Sequence, residues 1–144
     1  MLGILMAISA GAAMSIQGVM NTRLSDKIGL YESNMYVQGT AFVLSLIAML
    51  ILGKGQLSLI TKVNPLYLFG GALGLVITLT VMLAIGQTNP STAISVILIS
   101  QLLVASLIDA FGLMETEKIP FTVLKLTGLV LMIAGVVLIK WKTA

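Results

Sequence analysis

Between Lys62 and Asp109 the chain runs for 46 residues without a single Asp, Glu, Lys or Arg. No water-soluble fold can hide such a stretch, because about a quarter of the residues in an ordinary soluble domain carry charge. Here only 9% do, against 58% hydrophobic residues, and the mean hydropathy is +1.12. The solvent for this chain is therefore lipid, where backbone polar groups must be satisfied within helices or closed barrels.

A helix crosses a hydrocarbon core of about 30 Å with about 20 residues, so the uncharged stretch is long enough for two crossings. The motif "GQTNPS" divides it, since an amide cluster followed by Pro90 favours a turn. Spans are expected at about 66–86 and 91–111. Three more fit the same rule: 2–20 ("LGILMAISAGAAMSIQGVM"), 34–53 ("NMYVQGTAFVLSLIAMLILG") and 122–139, the last with Lys125 placed to snorkel. The first span lacks the basic start of a secretory signal and continues into Asn21 and Arg23, so it is read as retained. Residues 1–144 are expected to form one all-α transmembrane domain of five helices, with residues 54–64 at the membrane interface.

Five spans put the termini on opposite sides, and the basic residues of alternate loops set orientation. One side carries Lys54, Lys62, Lys118 and Lys125; the other carries Arg23, Lys27, Lys140 and Lys142. Four against four gives no bias. Three readings fit: dual topology, with two inverted copies forming an antiparallel homodimer; a fixed orientation beside a paired homologue; or orientation decided by one lysine near a helix end.

Polar residues lie on definite helix faces. At about 100° per residue, Gly3, Ala7, Ala10, Gly11, Gln17, Gly18 and Asn21 share about a third of the first span. In the second, Asn34, Gln38, Ala41, Ser45 and Ala48 recur at spacings of four and three. The third carries Gly70, Gly74 and Thr78 on one stripe, and the fourth aligns Ser91, Ser95, Ser106 and Asp109, flanked by Thr92 and Gln101. Small residues admit a neighbouring backbone. Intramembrane amides need a partner, either each other or a polar guest. Gln17, Asn21, Gln38, Ser95 and Gln101 are accordingly the candidate substrate-binding residues. Asp109, the one acidic residue inside a span, and Arg23 are candidates for gating or coupling. The alternative for Asp109 is an interfacial ion pair with Arg23 or Lys27.

Some chemistry is excluded by what the chain lacks. With no histidine and no cysteine there is no soft metal site and no thiol or imidazole catalysis. No phosphate-binding glycine loop occurs. The net charge of +3, distributed over loop ends, suits a membrane surface and not a nucleic acid. An enzyme is not expected, nor a cofactor or a metal.

The closing "GLVLMIAGVV" resembles the last helix of the small multidrug resistance proteins, whose two glycines seven residues apart form a packing seam. Together with "QGVMNTRLS", "GGALG" and "SQLLVASLIDAFG", it makes the whole chain similar to the YdcZ-like branch of the drug/metabolite transporter superfamily, relatives of the EamA-type transporters. The resemblance implies a five-helix unit in the bacterial inner membrane, exporting a small molecule as a pair of inverted protomers or within a fused pair. It also implies that Gly128 and Gly135 seat a second copy. One departure matters: Ser15 occupies the position where the small multidrug resistance proteins keep a proton-exchanging glutamate, so proton-coupled drug antiport does not carry across, and Gln17 and Asn21 suggest a neutral, zwitterionic or hydrogen-bonding substrate. Two other classes share the same spans, a non-transporting subunit that stabilises a partner and a lipid-handling protein.

Overall fold

A computed structural model of the chain describes residues 1–141; Lys142, counted in the charge tally above, lies outside the described residues. Five helices follow one another: α1 (Leu2–Ile28), α2 (Leu30–Leu52), α3 (Gly70–Gln87), α4 (Pro90–Phe111) and α5 (Val123–Trp141). All five are long and apolar enough to cross a membrane, α3 being lengthened by a 3-10 turn so that its span is Pro65–Gln87. The expected spans and these helices agree to within a few residues everywhere except at the first turn.

There, α1 outruns its apolar span by two turns, through Asn21–Ile28, because nothing in "NTRLSDKI" breaks a helix. It ends on Gly29, which alone separates α1 from α2. Gly29 has φ 102° and ψ 155°, a conformation closed to residues with a Cβ. A Cβ there would also collide with the Glu32 carboxylate. Gly29 donates its N–H to the Ser25 carbonyl at 3.0 Å and accepts from the Ser33 N–H at 3.0 Å, so the reversal is hydrogen-bonded on both sides. Helix α4 begins on a conventional cap: Asn89 Oδ1 accepts from the Thr92 N–H at 2.9 Å, with Pro90 in the first turn. It ends on Gly112 in the left-handed region, φ 63°.

The helices form two compact units, one reaching from Met1 to Gln87 and the other beginning at Thr88. In the first, α1 packs against both α2 and α3, and α2 also meets α3. In the second, α4 packs against α5.

Candidate functional site

The buried residues of the first unit are Gly18, Asn21 and Thr22 on α1, Ser33 and Asn34 on α2, and Met82 and Ile85 on α3. The α1 and α2 members all lie within three helical turns of Gly29, where the two chains of the hairpin are held close. Toward the opposite end, residues 2–14 of α1 and 39–52 of α2 are exposed throughout. The unit is thus closed at the hairpin and open away from it.

Gly18 makes the closure. A Cβ on it would stand 2.9 Å from Ile85 Cδ1 and 3.2 Å from Val81 Cγ1, so α3 lies directly against the α1 backbone. One turn on, the Thr22 hydroxyl donates to the Gly18 carbonyl at 2.8 Å, while its methyl group faces Gly86 of α3. Ser33, with no exposed surface at all, donates its hydroxyl to the Asn21 carbonyl at 3.3 Å and also lies 3.7 Å from the Met82 sulfur. A single hydroxyl therefore joins all three helices. Beside it Asn34 is only 4% exposed, and its side-chain oxygen is buried with no hydrogen-bond partner.

Of the residues expected to bind substrate, Asn21 is buried in this cluster. Gln38, one turn beyond Asn34, is half-buried; its Nε2 would lie 3.8 Å from a Cβ on Gly74 of α3. Thr78 continues that line, donating to the Gly74 carbonyl at 2.7 Å. Gly70, by contrast, meets nothing within 4 Å. Gln17 is exposed, because it precedes Gly18 and so sits about 100° around α1 from the contact with α3. Ser15, in the place of the missing glutamate, is half-buried and bonded back to the Gly11 carbonyl at 3.0 Å. Along α2, the regular seam is buried only at Asn34 and partly at Gln38; Ala41, Ser45 and Ala48 are exposed.

In the second unit Ser106 is buried, Ser95 is half-buried and Gln101 is exposed on α4. Asp109 pairs with Lys125 of α5 at 3.5 Å. The two residues stand near the end of one helix and the start of the next, so the cation that Asp109 meets is Lys125. Arg23 is engaged along its own helix with Asp26, also at 3.5 Å. Gly128 is exposed and Gly135 half-buried, and a Cβ on either would meet nothing within 4 Å, so α4 does not fill the seam of its neighbour. No group of three or more metal-ligating side chains occurs among the described residues.

Thr22, Ser33 and Met82 escaped the reading of the sequence. For Thr22 a signal existed, since it lies four residues beyond Gly18 and extends the small-residue stripe of α1. Ser33 and Met82 carried none: each becomes a contact only once Gly29 folds α2 back and α3 is laid across the pair.

Residues 2–138 match the family described as "Putative inner membrane exporter, YdcZ". No curated protein and no solved structure matches the chain.

Proposed function

This chain belongs to the YdcZ family of multi-pass inner-membrane transporters, and we propose that it exports a small polar solute by alternating access, working as a pair of inverted copies. The observation that carries this reading is the asymmetry of the first unit. One end is packed shut by Gly18, Thr22, Ser33 and Met82, and away from it α1 and α2 are uncovered, with the half-buried Gln38 and the exposed Gln17 next to the packed end.

In this reading Gln38 supplies hydrogen bonds to the solute, with Gln17 at the edge of the α1 face, and Asn21 joins them when the hairpin end opens. Asn34 belongs to the seal and gives up its oxygen to the solute when the hairpin end opens. Carboxamides and hydroxyls suit a neutral or zwitterionic guest, since they offer donors and acceptors without a net charge. Ser15 in place of a carboxylate takes away the proton-binding group that exchange for a cationic drug would need. Asp109 is held by Lys125 across α4 and α5, where opening the ion pair would accompany a change in helix packing; Arg23, paired with Asp26 along its own helix, stands near the end of α1. Gly128 and Gly135 leave the α5 ridge bare for the second copy.

The test is counterflow from proteoliposomes loaded with a mixture of isotopically labelled sugars, amino acids and quaternary amines, read by mass spectrometry. At least one solute is expected to leave faster than from empty-protein controls. Gln17→Ala, and separately Gln38→Ala, should then lower that flux at least tenfold while the protein stays folded. No flux above control, together with co-purification of another membrane protein, would overturn the reading in favour of a stabilising subunit.

A further inference from the structure

From Ser33 to Ile108 the chain holds just two charged side chains, Lys54 and Lys62. Both lie in the connection between α2 and α3, both are exposed, and neither pairs with a carboxylate among the described residues. The connection has a defined shape. Its first part is a 3-10 turn, Leu57–Lys62, opened by the Leu59 N–H donating to the Gln56 carbonyl at 3.1 Å. It closes where Asn64 Oδ1 accepts from the Leu66 N–H at 3.0 Å.

Two open grooves meet along this segment. One, of about 440 Å³, runs from Met49 and Leu50 in the last turn of α2 past Gly53 and Gly55 to Gln56 and Leu57. The other, of about 420 Å³, continues from Gln56 and Leu57 along Leu59, Ile60 and Val63 to Lys62. Together they run from apolar walls in the last turn of α2 past the Gln56 carboxamide and on along further apolar side chains to the Lys62 ammonium group. The apolar side chains are far from covered: Leu50 is 73% exposed and Leu57 67%. Gly53 lines the first groove, and a Cβ there would collide with the Met49 carbonyl.

We propose that this connection binds one anionic phospholipid, its phosphate at Lys62 with Lys54 of the same connection adding to the local positive charge, its ester region at Gln56, and the start of an acyl chain along Leu57, Leu50 and Met49. The charge pattern selects the class of headgroup. Two lysines that pair with no carboxylate among the described residues attract a net negative charge, and they have nothing to offer the amine of a zwitterionic headgroup. Lysines at a membrane surface strengthen such binding about fivefold each, or about thirtyfold for the pair. The site is separate from the polar cluster near Gly29, and its test reads lipid retention and not transport, so either proposal can fail alone.

The full chain in neutral detergent is titrated with dioleoyl-phosphatidylglycerol or dioleoyl-phosphatidylcholine and examined by native mass spectrometry. One phosphatidylglycerol per chain is expected to be retained at least tenfold better than phosphatidylcholine. The double variant Lys54→Gln/Lys62→Gln should lose this preference, and Lys54→Arg/Lys62→Arg should keep it, each checked for unchanged helical content. Leu50→Gln should weaken retention of both lipids. Equal retention of the two lipids by the native chain, or an undiminished preference in the glutamine variant, overturns the proposal. So does displacement of the lipid by millimolar inorganic phosphate, which would make the lysines a site for free anions.

Discussion

Asn34 carries an oxygen that the packed chain buries and leaves unbonded, at a loss of about 1–3 kcal/mol relative to an acceptor that has found a donor. Ser33 beside it has used its one hydroxyl hydrogen on the Asn21 carbonyl and the Met82 sulfur, so no donor remains for the amide. Replacing Asn34 by the near-isosteric Leu should therefore leave thermal stability in detergent unchanged or raise it, while lowering export at least tenfold. Differential scanning fluorimetry and the counterflow assay, run on the same preparation, check the two halves. A fall in both would make Asn34 a structural residue. The sequence places Asn34 on a polar stripe, because spacings of three and four mark a helix face. Which of those polar residues would be sealed in is a matter of where α3 lies, and no periodicity within α2 carries that information.

Helices were the legible level. Apolar length alone gives five crossings, and each is a helix, four of them within a few residues of the expected extent and α1 two turns longer. The connections were less legible: "NTRLSDKIG" looks like a loop by polarity, yet all but its last residue is helical, since polarity sets where a helix leaves lipid and not where it ends. At α5 the two glycines are read from sequence as a ridge for close packing, and in the folded chain a Cβ at either would meet nothing within 4 Å. Gly128→Leu or Gly135→Leu should consequently spare the fold of α4 and α5 while dissociating the proposed dimer. Light scattering in detergent should fall to the mass of one chain with helical content unchanged. A dimer that survives both substitutions would place the second copy elsewhere.

For the molecule as a whole, family and membrane location agree with the reading of the sequence, while the pairing of two copies rests on the balanced lysines and arginines. Tags at both termini, probed from each side of sealed vesicles, should reveal two populations in comparable amounts. Adding two lysines next to Lys62 should collapse them into one, because each moves the balance of four against four toward the same face. A single population in the native chain would leave a fixed orientation. Either way, α1 and α2 must travel together. Joined through one residue, they have no slack with which to slide past each other, so any rearrangement at that end is a swivel about a single pivot; lengthening the joint by even two flexible residues would uncouple what the seal and the open mouth do to one another.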